Sequence, residues 1–353
     1  MSIAQDIFKT ALVEYGKGDY SCYRIPGIVV TAKGTLLAYY EDRLEGDDWS
    51  SRNIEIKRST DNGSTWSSPM RIFKQHPDNT VSNPVMIACR NGLVHLLWNI
   101  DYERSFYQIS RDDGLSFSEP VEITAQLLPW RKDYPWHKAV FGPCHGIELK
   151  NGRLVVPIWL CNNPERRHLP SVVSTFVSDD GGTSWHCGEI VGSGSESFIE
   201  NLNETCVAQL SDGRVMLNMR HTDPNYFRAI SYSTDGLSGF TSPVLDINLP
   251  DPICCAGLAI SPNGDLFFSN CASGAPNNSP RPPRHHLTIR RSTNSGKSWC
   301  CSREIEEIAG YSDIIISNDG KWVYCFYESE WENGNVDLPH QLAFVRIPAD
   351  YFD

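Results

Sequence analysis

Short apolar runs rich in β-branched and aromatic residues recur along the whole chain, each bounded by Gly, Asp, Asn or Ser. Almost no segment shows the 3.6-residue periodicity of an amphipathic helix, so the pattern predicts an all-β protein. Gly27–Ala32, Thr35–Glu41 and Asn53–Ser59 read as three consecutive strands, with a fourth beyond the turn that follows them. The scheme recurs at Val85–Cys89 and Leu93–Asn99, at Gly146–Leu149 and Arg153–Leu160, and at Thr205–Leu210 and Val215–Arg220. It continues at Gly257–Ile260 and Leu266–Asn270, and at Ser312–Ser317 and Trp322–Tyr327, with Gln341–Arg346 as a third strand. Thr10–Glu14 is then expected to supply the fourth strand of the last unit. Six four-stranded antiparallel units predict a single-domain six-bladed β-propeller over residues 1–353, with no linker.

An octet between the third and fourth strands marks the repeat. Ser59–Trp66 reads S-x-D-x-G-x-[ST]-[WF]; Ser110–Phe117, Ser178–Trp185 and Ser292–Trp299 follow it, the last with Asn294 for Asp. Ser233–Phe240 is a degraded copy with Leu237 at the Gly position. The chemistry is that of a turn: Asp accepts backbone N–H groups and Gly takes a positive φ. These Asp-box aspartates are therefore expected to be structural.

Composition narrows the function. The 353 residues carry 31 Lys+Arg against 43 Asp+Glu, a net charge of −12, which argues against non-specific nucleic-acid binding. Hydrophobic residues make up 40 %, enough for a sizeable core. No apolar run approaches the roughly 20 residues of a spanning helix, and the first residues hold no apolar signal core. A cytoplasmic location without a membrane segment is the expectation. The 12 cysteines lack zinc spacing and read as reduced thiols. His145 reads as a hydrogen-bonded strand residue, and His285-His286 lacks a third ligand, so no metal or cofactor is expected.

Strand order places the start of strand 1, the end of strand 2 and the start of strand 3 at one end of the fold, opposite the octets. Arg24, Arg43, Asp47, Asp48, Glu204, Arg220, Arg281, Arg284 and Tyr311 all fall there. Any single Arg reads as a surface ion pair. Three beside the axis favour a carboxylate or phosphate, which guanidinium binds in two-toothed fashion. An anion clamp, a phenol beside a carboxylate and a loop carboxylate opposite suit cleavage of a glycoside that carries its own carboxylate. A neutral phenol deprotonated by Glu escapes the repulsion a carboxylate nucleophile would meet.

At these residues the chain resembles the exo-sialidases (neuraminidases) of the Asp-box propeller type, broadly glycoside hydrolase family 33, from Tyr23 to about Ile316. The resemblance rests on Arg24-Ile25-Pro26, the Asp boxes, Gly142–Ile147, Asn203-Glu204 and Tyr311-Ser312-Asp313. It implies retaining hydrolysis of terminal α-linked sialic (nonulosonic) acid from sialylated glycans, through a covalent tyrosyl intermediate. Arg24, Arg220 and Arg284 match the triad that holds the sugar carboxylate, with Arg281 a rival to Arg284. Tyr311 matches the nucleophile, Glu204 its base and Asp48 the acid/base, with Asp47 a rival; Arg43 would contact the 4-hydroxyl. Cys144, where the family often has Gly, would sit near the mouth. Tyr39, Asn83, Trp159 and Trp331 are candidates for lining the pocket. Arg166-Arg167 read as a solvated loop at the mouth. A related keto-acid sugar (Kdn, Kdo or a bacterial nonulosonate) as substrate, and a non-catalytic sialic-acid-binding propeller, are the alternatives. Tyr, Glu and Asp standing together with the Arg residues favour the enzyme. Oligomeric state is left open.

Overall fold

The computed structural model describes residues 6–16, 20–73, 79–192, 199–274, 282–331 and 339–353. The protein is all-β, as the alternation of runs and turns predicts. After β1 (Phe8–Glu14) the first unit is β2 (Cys22–Val30), β3 (Leu36–Arg43), β4 (Ser51–Ser59) and β5 (Met70–Arg71). The second is β6 (Val81–Ala88), β7 (Val94–Ile100), β8 (Arg104–Ser110) and β9 (Val121–Glu122). In the third, β10 (Lys138–Phe141) and β11 (Ile147–Glu148) both pair with β12 (Leu154–Cys161), followed by β13 (Ser171–Ser178) and β14 (His186–Cys187). The fourth is β15 (Thr205–Gln209), β16 (Val215–Met219), β17 (Phe227–Ser233) and β18 (Val244–Pro250). Each of these is an antiparallel sheet in chain order.

The remaining strands form one seven-stranded sheet. It holds β19 (Gly257–Ile260), β20 (Leu266–Cys271), β21 (His285–Ser292), β22 (Cys300–Ile316), β23 (Trp322–Trp331) and β24 (Pro339–Pro348), closed at its edge by β1. The N-terminal segment thus pairs with the last strand, Thr10 opposite Phe344. Two strands expected to be separate are one: β22 pairs with β21 up to Ile308 and with β23 from Ala309. Innermost strands touch in a closed cycle, β2 to β6, β11, β15, β19, β22 and back to β2.

Sheets packed on both faces explain why the central runs are continuously apolar rather than alternating. Every residue of β3 and of β12 is buried. Cores lie between neighbouring units: Ile28, Tyr40, Tyr324 and Phe344 share one, Val29, Leu37, Ile56 and Trp98 the next. All twelve cysteines are free thiols, and only Cys300 is exposed.

The octets are turns built as the sequence dictates. Ser59 Oγ accepts from Gly63 N at 2.8 Å, and Asp61 accepts from Thr65 N at 2.9 Å and from Thr65 Oγ1 at 2.6 Å. These hydrogen bonds lower the pKa of Asp61 to about 2, and Ser116 and Ser184 do the same for Asp112 and Asp180. The degraded copy is a turn one residue shorter. Gly236 takes the positive φ of 69° and donates to Ser233 Oγ, so Leu237 need not be Gly.

Strand 1 of the first two units breaks before a proline. The register shifts between Arg24 and Gly27 and between Ser82 and Val85, with Ile25 and Asn83 at φ of 60° and 53°. A proline without an N–H cannot continue the ladder. A third break, at Gly142–Gly146, separates β10 from β11.

Candidate active site

Tyr311 occupies the register shift of β22 between Ala309 and Ser312. Its backbone N–H, free of the ladder, donates to Glu328 Oε2 at 3.0 Å. The phenol donates to Glu204 Oε1 at 2.5 Å and accepts from Arg220 Nη1 at 2.7 Å. Glu204 and Arg220 sit one residue beyond β15 and β16, where Arg220 N still donates to Glu204 O at 2.9 Å. That backbone bond sets the two side chains abreast, and Arg220 Nη1 also donates to Glu204 Oε2.

Two further guanidinium groups cover the phenol. The Cζ atoms of Arg24 and Arg284 lie 5.1 and 5.0 Å from the Tyr311 ring centre. Arg24 is held by Glu328, Nε to Oε1 at 2.8 Å and Nη2 to Oε2 at 3.3 Å; the carboxylate is fully buried. Arg284 donates to Ile253 O at 3.4 Å. Arg220 Nε is buried without a hydrogen-bond partner among the described residues. A buried cationic donor left unpaired is costly unless an anion completes it.

These charges set the protonation states. Burial pushes the Tyr311 phenol well above its ordinary range, with Arg220 pulling it down and Glu204 pushing it up. Burial raises Glu204 too, but the charge of Arg220, the bond from Tyr311 and Arg284 outweigh it and hold the carboxylate low. In the unliganded state the proton therefore rests on the phenol.

The loop carboxylates lie opposite. Arg43, at the end of β3, binds Glu41 Oε2 through Nε at 2.9 Å and Nη2 at 2.7 Å, and Asp48 Oδ1 through Nη1 at 3.0 Å. The side chain of Asp48 is 43 % exposed, whereas those of Arg43 and Glu41 are 1 % and 0 %. Crowding by protein raises the Asp48 pKa, but the charges of Arg43 and Arg24 hold it far below the usual carboxylate range. Asp47 instead accepts from Trp49 N at 2.8 Å, an ordinary turn contact on the exposed side of the loop.

Arg24, Arg220, Arg284, Tyr311 and Glu204 are thus one cluster, with Arg43 and Asp48 beside it. Arg281 lies outside the described residues, and of Trp331 only the backbone is described. Tyr39 is fully buried, its hydroxyl accepting from Met86 N, and its ring fills the place a Cβ on Gly27 would need. Trp159 is buried at 4 % exposure, edge-on to His168. Asn83 donates its backbone N–H to Glu41 Oε1 at 2.6 Å. Cys144 is not at the mouth but in the core, its Sγ 3.4 Å from that of Cys255. His145 lies in the break after β10 rather than in a strand, and its Nδ1 is 2.9 Å from Asp313 Oδ1. Arg167 is solvated, but Arg166 lies over the Trp49 ring, 5.4 Å from its centre.

Four residues escaped the sequence reading. Glu41 and Glu328 sit in strands where alternation alone gives no reason to bury a carboxylate. Arg228 sits in β17 as if facing solvent, yet it is fully buried and donates to Asn218, Cys254 O and Glu204 O. His168 stands in a loop with no local motif.

A cavity of about 750 Å³ opens at the other end, lined by Val29, Ile147, Leu258 and Ile315 and by none of the clustered residues. Among the described residues no group of three or more His, Cys, Asp or Glu side chains is arranged to hold a metal. Among the described residues no helix is long and apolar enough to cross a membrane.

The chain is 29 % identical over 344 residues to a sialidase of Micromonospora viridifaciens, covering 87 % of this chain and 50 % of the relative. It is 28 % identical over 374 residues to a sialidase of Bacteroides fragilis, covering 95 % and 63 %. The chain thus spans about half to somewhat under two thirds of the length of these curated relatives. Among solved structures, the Hadza microbial sialidase Hz136 superposes with a TM-score of 0.81 at 24 % identity, covering 98 % of this chain and 69 % of that one. The resemblance to sialidases read from the motifs is borne out by these relatives. The BNR repeat-like domain family matches residues 34–324, most of the chain, and the protein belongs to that family.

Proposed function

We propose that the protein is an exo-α-sialidase, a glycoside hydrolase that releases terminal sialic acid from glycoconjugates with retention of configuration. The closed cycle of inner strands supports a six-bladed propeller, a single domain in which the two units joined through β22 are separate blades. The observation that carries the function is the Tyr311 phenol, bonded at once to Glu204 and Arg220 and covered by Arg24 and Arg284.

Arg24, Arg220 and Arg284 would take the substrate carboxylate. As that anion draws Arg220 away, Glu204 loses the cation that holds its pKa down and becomes a stronger base. It then accepts the phenolic proton while the Tyr311 oxygen attacks the anomeric carbon. Binding energy from the carboxylate is thereby used to activate the nucleophile only when substrate is present. Asp48 gives its proton to the departing glycosidic oxygen, and in the second step takes one from the attacking water. Arg43 holds Asp48 ionised in the empty site, so protonation at Asp48 requires Arg43 to turn to another acceptor, for which the sugar 4-hydroxyl is suited.

The test is hydrolysis of α2,3- and α2,6-sialyllactose followed by proton NMR. Release of sialic acid first as the α anomer is the expected result. A first-formed β anomer, or no release from either sugar or an aryl ketoside, contradicts the reading. A first-formed 2,7-anhydro product would assign the chain to intramolecular transfer instead.

A further inference from the structure

Asp48 is held by more than its own loop. The loop between β12 and β13 reaches over it and places His168 Nδ1 3.6 Å from Asp48 Oδ2, on the side opposite Arg43. The loop is laced in place. Lys138, buried in β10, donates to Asn163 O and Glu165 O at 2.6 Å each. Asn163 Nδ2 donates to Leu169 O at 2.9 Å, Asn162 N to Pro170 O at 3.2 Å, and Tyr134 OH to the same carbonyl at 3.0 Å.

The His168 ring has a cage. It stacks on Trp49 at 5.6 Å and 28°, and meets Tyr102 and Trp159 edge-on at 5.1 and 5.4 Å. Trp49 follows Asp48 directly, and the Tyr102 hydroxyl donates to Asp48 O at 2.7 Å. The same aromatic group therefore grips the Asp48 backbone and aims the imidazole at its carboxylate.

We propose that His168 is the positioning residue of Asp48, donating from Nδ1–H to Oδ2 so that the carboxyl faces the leaving group. This rests on the reading of Asp48 as acid/base. Two observations set the tautomer and the charge of the ring. His168 Nε2 is buried without a hydrogen-bond partner among the described residues, and an orphaned acceptor is tolerated better than an orphaned N–H. Burial also keeps the imidazole neutral, against Asp48 and Glu204 and with Arg220 and Lys138. Arg166 also lies over the Trp49 ring. At 3.6 Å the contact needs only a small closing movement to become a hydrogen bond, as unliganded sites often do.

The amide of Asn reaches the place of Nδ1, that of Gln the place of Nε2, and Phe keeps the ring without a donor. His168→Phe and His168→Gln should lose about 10- to 100-fold in kcat/KM on α2,3-sialyllactose, a part of what the acid itself supplies. They should lose under about 3-fold on a 4-nitrophenyl ketoside, whose phenolate leaves unaided. Loss of a donor to the ionised carboxylate raises the Asp48 pKa, so the basic limb of the kcat profile, which reports the substrate-bound enzyme, moves to higher pH. His168→Asn should restore both the sialyllactose rate and the limb. Thermal melting checks that each variant is folded, and Asp48→Ala is measured beside them. Equal losses on the two substrates for His168→Phe, or no rescue by Asn, while Asp48→Ala keeps its substrate asymmetry, overturn the proposal alone. Equal losses for Asp48→Ala overturn the assignment of the acid, and the proposal with it.

Discussion

Glu204 Oε1 accepts the proton of the Tyr311 phenol across 2.5 Å, while Arg220 donates to both partners. The phenol oxygen is thus flanked by the base that can take its proton and by the cation that can stabilise the phenolate left behind. The arrangement spans 107 residues of sequence. Tyr311→Phe removes the nucleophile, and turnover of sialyllactose should fall by at least about 100-fold. A 3-fluorosialyl fluoride should leave an adduct on the peptide containing Tyr311, located by mass spectrometry. An adduct elsewhere, or undiminished turnover, would return the role to another residue.

Arg220→Lys exchanges a planar fork for a point charge. One charge-assisted bond to the substrate carboxylate is lost, about 1.5–3 kcal/mol or roughly 10- to 150-fold in kcat/KM. Steady-state kinetics on an aryl ketoside measure it. A near-normal value removes Arg220 from the clamp, and the same substitution at Arg284 and Arg281 decides between those two.

Glu328 serves Arg24, Ile25 N and Tyr311 N with one buried carboxylate. Glu328→Ala leaves a buried guanidinium without its counter-charge and should cost about 3–5 kcal/mol of stability. Glu328→Gln keeps an acceptor and should cost less. Urea unfolding of the pair distinguishes them, and equal midpoints for Ala and wild type would mean that Arg24 is held by other groups.

The Asp-box aspartates make stability depend on acid. The pKa values of Asp61, Asp112 and Asp180 are depressed from 3.8 to about 2 in the folded protein. Their contribution is present above the unfolded pKa and is lost as pH falls from about 4 toward 2. Asp180→Asn should lower Tm at neutral pH, and the gap to wild type should narrow as pH falls below about 4 and close near about pH 2. A gap unchanged down to that pH would show that the carboxylate charge does no stabilising in the turn.

Asp48→Ala should lose far more on sialyllactose than on aryl ketosides, because a stabilised phenolate leaves without a proton donor. Asp47→Ala should show no such asymmetry, since the Asp47 carboxylate caps Trp49 N and Arg43 reaches Asp47 only at its backbone carbonyl, which alanine keeps. Reversal of the two phenotypes would exchange the roles.

What the sequence determined by itself was everything governed by neighbours along the chain. Ser59, Asp61 and Gly63 close their turn with their own backbone, so the octet is legible wherever it occurs, and even the shortened copy at Ser233 keeps its function. Continuous apolar runs such as Leu36–Tyr40 announce strands buried on both faces, and strand order alone brings Arg24, Glu204, Arg220, Arg284 and Tyr311 to one end. Tertiary structure decided which charges meet. Arg24 and Glu328 are 304 residues apart, and nothing near either residue names the other. Glu41 and Arg228 look like outward-facing strand residues until the neighbouring units cover them. His168 reaches Asp48 only because Lys138 ties down its loop and Trp49 lies beneath its ring. The physical reason is one of range: turns and strand runs are set by bonds within a few residues, whereas a buried charge is stable only beside a partner that the whole fold must deliver.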